Sequence, residues 1–400
     1  MTAAEQVSAK RALVVISIGV LLASSTWLSG TAAARELARV WALSPSEAAR
    51  LTSATQWGFI AGTLVYAATN LADRFDARRV FCGSAVLGAC FNLGFAWLSD
   101  GLWSALVLRF ATGMTLAGVY PVGMKLIAGW YREGLGWRLG VMVGCLTLGT
   151  AFPFGVAALG LALDWRALAS IASIASVVGG LLVRLGCDEG PLLRTRARLD
   201  LRVVGRVFRH RPFRDAAFGY FGHMWELYAL WSLTAVWLDA RFAAANAGAW
   251  AERVSLLAFA TVGVGALGCV AGGLLSRRLG ERKVALIALT GSGVACLISG
   301  FAFELPPGWL TVFLLAWGVL VVADSPQFSA LAARHAPSEY TGTALTIQNG
   351  LGFAISTVSI QLVPRLAELV GWRWVFAVLA IGPMVGVYFT ARGRDDATAA

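Results

Sequence analysis

Five side chains in this sequence could hold a charge or move a proton away from water: Arg109, Lys125, His223, Glu226 and Asp324. Each falls within a long, nearly uncharged run, where burying an ionisable group is costly enough to mark a functional candidate. His223 and Glu226 stand three apart in Gly222-His-Met-Trp-Glu-Leu-Tyr228, a spacing that puts them on one face of a helix. A glutamate sheltered from water beside an imidazole that titrates near neutrality can carry a proton. The same two groups could instead be bonded only to each other or to neighbouring helices. Asp324 precedes Ser325-Pro326, where the proline frees a backbone carbonyl; its carboxylate could meet a proton, a substrate amine or Lys125. Arg109 has two readings, a functional charge at depth or snorkelling to the nearby edge of its run. For Lys125, closer still to an edge, snorkelling is favoured. Trp27, Tyr120, Trp225 and Tyr228 offer aromatic walls to a cavity on the same elements, and Gln348 and Asn349 are further polar candidates.

Other chemistries lack their residues. There is no Gly-x-x-x-x-Gly-Lys-Ser/Thr phosphate loop, so the chain is not expected to burn ATP. The three histidines, His210, His223 and His335, are far apart, and none of the six cysteines forms a Cys-x-x-Cys pair. No metal site, nucleophile–base pair or cofactor is therefore expected, and the protein does not read as an enzyme. Buried single thiols are the simplest account of the cysteines.

The elements that must hold these groups are membrane helices. Of 400 residues 58% are apolar and 14% charged, with a mean hydropathy of +0.70, whereas soluble domains carry about 25% charge. The net charge of +11 sits in short patches between apolar runs, which argues against a nucleic-acid surface. Runs long enough to span a bilayer fall near 12–33, 51–71, 80–99, 102–128, 139–163, 166–184, 214–238, 254–275, 284–303, 309–333, 342–364 and 373–391. The first is too long for a secretory signal and reads as an uncleaved helix. An even number of spans puts both termini on one side, and most of the 33 Lys and Arg fall on that side, so both termini are expected in the cytoplasm. The most basic segment, 186–213, separates six spans from six; part of it, Leu199 to Phe213, could lie along the anionic leaflet as an amphipathic helix.

The two halves repeat one another. Asn70-Leu-Ala-Asp-Arg-Phe-Asp-Ala-Arg-Arg79 joins the second and third spans, and Gly273-Leu-Leu-Ser-Arg-Arg-Leu-Gly-Glu-Arg-Lys283 joins the eighth and ninth. Arg74 matches Arg278, Arg78 matches Arg282 and Arg79 matches Lys283 at one offset, the mark of a duplicated unit. Asp164-Trp165-Arg166 and Gly371-Trp372-Arg373 each precede the last span of a half, and a tryptophan there is expected to anchor at the headgroups. Pro121 and Pro326 also correspond.

This pattern resembles the major facilitator superfamily over essentially the whole chain. Asp73, Arg74 and Arg78 match the superfamily signature Gly-x-x-x-Asp-Arg-x-Gly-Arg-Arg/Lys. Thr69, Asp76 and Ala77 depart from it, and Arg277 replaces the aspartate in the second copy. Arg109-x-x-Thr-Gly113 resembles a fourth-helix motif whose arginine is implicated in proton coupling. Gly140, Gly149, Pro153 and Gly155 partly match an antiporter signature, with Phe152 in place of the glycine before the proline. The resemblance implies an all-α integral membrane fold of twelve helices in two pseudo-symmetric six-helix bundles, 1–185 and 214–400, around the 186–213 linker. It further implies that Asp73, Arg74 and Arg78 gate the cytoplasmic side, and that the first, fourth, seventh and tenth helices, which hold Arg109, Lys125, His223, Glu226 and Asp324, line a central cavity.

The expected function is secondary active transport of a small organic solute across a bacterial inner membrane by alternating access, coupled to protons, by a monomer. Two rivals stand: proton-antiport export of drugs, and a membrane sensor that keeps the fold without moving a solute.

Overall fold

The computed structural model describes residues 3–131, 134–159, 163–192, 204–245, 248–336 and 341–393. Residues 193–203 of the basic linker and the C-terminal tail from 394 lie outside these residues, as does the side chain of Asp73. Twelve long helices carry the fold: α1 (Ala3–Ser24), α2 (Pro45–Thr69), α3 (Ala77–Leu98), α4 (Leu102–Trp130), α5 (Leu135–Ala158), α6 (Trp165–Gly186), α7 (Arg211–Ala244), α8 (Val254–Leu279), α9 (Glu281–Ala302), α10 (Pro307–His335), α11 (Thr341–Val370) and α12 (Trp372–Arg392). Ten are long and apolar enough to cross a membrane; α2 and α7 are more polar. Their polarity faces protein rather than lipid. In α7, Asp215, His223, Glu226, Ser232 and Thr234 are all buried, and in α2 so are Thr52, Ser53, Thr55 and Gln56.

Helices α1 to α6 form one six-helix bundle and α7 to α12 the other. Close approach within a bundle depends on small residues. A Cβ on Gly58 of α2 would strike the backbone of Phe110, and one on Gly113 of α4 the backbone of Thr55, so glycine at both positions lets α2 and α4 pack backbone to backbone.

Helix starts are capped as water-facing ends require. Ser44 and Glu47 form a reciprocal capping box at α2, with Pro45 in the first turn. Asp164 caps α6 through the Ala167 N–H, and Asp76 caps α3 through the N–H groups of Arg78 and Arg79. The Arg78 guanidinium on Asp76 is the main reason this carboxyl titrates below its usual range. A depressed carboxylate adds stability that is present above its unfolded value, about 3.9, and fades as the pH falls through the folded one. Asp76→Ala should therefore lower stability by about 1 kcal/mol at neutral pH, the worth of a cap. The gap to wild type, read as unfolding temperature in detergent, should close only below about pH 4; a gap that closes near pH 6 would refute the assignment.

Several helices break in mid-span. In α4 and α10 the break precedes Pro121 and Pro326, each in the first turn of the second half-helix, where the missing N–H does no harm. α1 ends at Ser24 without a proline; Ser25 Oγ donates to the carbonyls of Leu22 and Ala172, and the chain resumes as Ser29–Ala32.

Trp165 departs from the headgroup-anchor expectation. It is fully buried, with Trp41 and Phe95 at 5.6 and 5.2 Å. Burial arises because Trp41, in the chain between α1 and α2, folds back over the start of α6.

Candidate functional site

The buried ions divide between two places. The first is the meeting of α1, α3 and α4, where Arg109 is fully buried and so does not snorkel. Its Nη2 donates to the carbonyls of Thr26 and Trp27 at 2.9 and 2.5 Å, the orphaned acceptors of the α1 break. Its Nη1 donates to Ser29 Oγ at 2.9 Å and Asn92 Oδ1 at 2.7 Å, and the guanidinium lies 5.5 Å from the Phe95 ring. Asn92 is fully used: Ser29 Oγ also donates to its Oδ1, and its Nδ2 reaches Ala169 O and Ser173 Oγ on α6. No carboxylate pairs with Arg109 among the described residues; carbonyl and amide dipoles hold its charge.

The second place is inside the other bundle. His223 Nδ1 lies 2.8 Å from Asp324 Oδ1, and both side chains are 1% exposed, which joins α7 to the break in α10. His223 Nε2 and Asp324 Oδ2 have no hydrogen-bond partner among the described residues. Glu226, also buried, turns to a separate set: Trp317 Nε1 donates to Oε1 at 2.6 Å and Ser292 Oγ to Oε2 at 2.9 Å. His223 and Glu226 are thus not bonded to each other. Asp324 and Glu226 nevertheless lie within electrostatic range, so two acids and an imidazole share one dry region.

Between the bundles lies an aromatic cluster. Trp27 stacks on Tyr228 at 5.9 Å and touches Phe59, while Phe353 meets Trp27, Phe59 and Tyr228 at 5.7, 4.5 and 5.1 Å. Four helices, α1, α2, α7 and α11, therefore close on one plug. Tyr120, half-buried at the α4 break, is within electrostatic range of Tyr220 and Cys269, which puts phenols from both bundles near the same space. Trp225 does not belong to that wall: its ring packs toward α12, and its Nε1 donates to the Val378 carbonyl at 3.4 Å. On α7 it lies about 60° around the axis from Tyr228, enough to turn it from the plug.

Away from the termini the bundles are pinned. Arg35 Nη2 meets Asp239 Oδ1 at 2.5 Å, Gln361 Nε2 donates to Ser53 Oγ at 3.0 Å, and Ser356 Oγ to Gln56 Oε1 at 2.9 Å. On the terminal face, Arg78 bonds Asp76 at the start of its own helix and Asp188 and the Cys187 carbonyl at the start of the linker. Arg74 is exposed. Lys125 donates to the Ala72 carbonyl at 2.5 Å, which places its ammonium at the α2–α3 turn rather than beside Asp324.

Several members of these sites escaped the sequence reading: Asn92, Ser292, Trp317, Tyr220, Phe59 and Phe353, which carry no charge, and the ion pair Arg35 and Asp239. Asn92 had a usable signal, as a lone side-chain amide in the run from Val80 to Ser99. The aromatics had none, since eleven of the twelve spans carry such residues.

A sequence profile of the Major Facilitator Superfamily matches residues 14–360. An uncharacterised MFS-type transporter of Mycobacterium tuberculosis (strain CDC 1551 / Oshkosh) is 25% identical over 408 residues, covering 95% of this chain and 84% of that protein. Two solved structures share the fold. A mutant of the nucleoside transporter NupG aligns with a TM-score of 0.73 at 11% identity, over 97% of this chain and 100% of that one. The proton:xylose symporter XylE bound to 6-bromo-6-deoxy-D-glucose aligns with a TM-score of 0.73 at 12% identity, over 98% and 97%. With a profile match across most of its length, twelve helices in two bundles and a duplicated charged turn, this chain belongs to the Major Facilitator Superfamily.

Proposed function

We propose that this protein is a proton-coupled secondary transporter that moves a small organic solute across a bacterial inner membrane by alternating access. The observation that carries the proposal is the buried His223–Asp324 pair at the break of α10, with one nitrogen and one carboxylate oxygen unpartnered. An ionisable pair that joins two helices in a dry bundle changes its charge when a proton binds, and so weights one arrangement of the helices against another. Glu226, held by Trp317 and Ser292, is the second proton acceptor. Arg109 positions the α1 break, and through it Trp27 at the plug. The halves 1–185 and 214–400, joined by 186–213, rock about the plug as a monomer. The excess of Lys and Arg on the terminal face puts both termini in the cytoplasm, with Asp73, Arg74 and Arg78 at the cytoplasmic gate. A nucleoside and a sugar are the solutes named for the two structural relatives, which agrees with a polar organic cargo.

A thermal-shift screen of the purified protein against solute classes at two pH values, with Glu226→Gln beside it, tests the reading. At a hundred times its dissociation constant a ligand adds about 2.7 kcal/mol of stability. A polar metabolite should stabilise the wild type in a pH-dependent way that the variant loses. The aromatic plug favours one other cargo: stabilisation by lipophilic cations alone would replace this proposal with drug export. No stabilisation by any solute would point to a sensor.

A further inference from the structure

The two copies of the charged turn differ in how their arginines are neutralised. In the first copy Asp76 and Asp188 both bind Arg78, each at 2.8 Å. In the second, at the same offset, Arg277 stands for Asp73 and Gly280 for Asp76. Gly280 has φ 82°, a conformation that an aspartate would adopt only with strain. The one acid left in that turn, Glu281, is engaged by Arg334 at 2.8 Å. Arg277 and Arg278 are exposed and make no ion pair among the described residues. Both lie in the last turn of α8, where the apolar helix reaches the terminal face.

Below them is a groove of about 600 Å³ lined by Ala271, Leu274, Leu275 and the two arginines. Leu274 and Leu275 are 49% and 42% exposed, and Leu267, two turns deeper, is 67% exposed. The floor is thus continuous with the lipid-facing side of the helix.

We propose that this groove is a binding site for an anionic phospholipid. The headgroup phosphate bridges Arg277 and Arg278, and an acyl chain runs down Ala271, Leu274 and Leu275. Guanidinium groups bind phosphate oxygens through paired N–H donors. Among the described residues no carboxylate competes for them, and the apolar floor selects a lipid over a soluble anion. On the orientation proposed above, the groove opens on the leaflet that carries anionic lipid.

The test is native mass spectrometry of the full chain in detergent with dioleoylphosphatidylglycerol or dioleoylphosphatidylcholine added. Wild type should retain the phosphatidylglycerol in preference, and Arg277→Gln with Arg278→Gln should weaken that retention about thirtyfold, the combined effect of two arginines at a membrane surface. Arg277→Lys with Arg278→Lys should restore most of it. Equal retention of both lipids, or undiminished phosphatidylglycerol binding in the glutamine variant, would overturn the site. Displacement of the lipid by millimolar glycerol 3-phosphate would overturn it in favour of a soluble anion.

Discussion

Asp324→Asn should leave a protein that exchanges its solute across the membrane but no longer concentrates it against a pH gradient. Asparagine keeps the volume of the side chain and still bonds to an imidazole, so the α7–α10 contact persists. What disappears is the change of charge. In the wild type a proton on the His223–Asp324 pair makes or removes an ion pair in a fully buried region where screening is weak, and this biases the two-state equilibrium of the bundles. A tenfold accumulation requires about 1.4 kcal/mol of coupling per solute, and a group that cannot ionise contributes none. Exchange needs only the loaded carrier to reorient, so it survives. In proteoliposomes with an imposed pH gradient the accumulation ratio should fall to about one, while counterflow stays within about tenfold of wild type. Accumulation at the wild-type level would remove Asp324 from the proton path. His223→Gln is the harsher change, because it leaves a buried carboxylate without its cation; removing one partner of a buried pair costs about 3–5 kcal/mol, and lower yield is expected with it.

Why the first half of that site was legible and the second was not follows from helix geometry. Charged residues in an apolar run are conspicuous, so His223, Glu226, Asp324 and Arg109 could be named from composition alone, and the apolar runs located all twelve helices. Partners were another matter. Residues three apart on an α-helix diverge by about 60° around the axis, enough for His223 to meet α10 at Asp324 while Glu226 meets Trp317 and Ser292. The same divergence aims Trp225 at α12 instead of the plug. The break in α1 was hidden for a different reason. No proline or glycine marks it, since serine and threonine hydroxyls take over the lost backbone bonds, and those residue types are equally common in unbroken spans. Trp165 was misplaced because its cover, Trp41, belongs to a connecting segment whose path local pattern does not fix.

The second large effect concerns Arg109, and it should appear in folding before transport. The guanidinium closes off two carbonyls of the α1 break and satisfies one oxygen each of Ser29 and Asn92. Arg109→Met approximates its length and apolar packing but strands the Trp27 carbonyl, while the Thr26 carbonyl and Asn92 Oδ1 keep only the shared Ser29 hydroxyl. An unsatisfied buried polar group costs about 1–3 kcal/mol, so the loss at Trp27 alone is a large fraction of the stability of a domain. Arg109→Lys retains the charge but offers one nitrogen where the guanidinium offers two, so it should recover part of the loss. The expected readout is an unfolding temperature in detergent that ranks wild type above Lys and Lys above Met. Asn92→Leu should produce a similar defect, because it deletes the amide that both Arg109 and Ser29 use. The two losses should not add, since each mutation breaks the same network. If Arg109→Met instead unfolds like wild type and loses only proton-driven transport, then the arginine acts as an ion carrier, and the dipoles around it are incidental to the stability of the bundle.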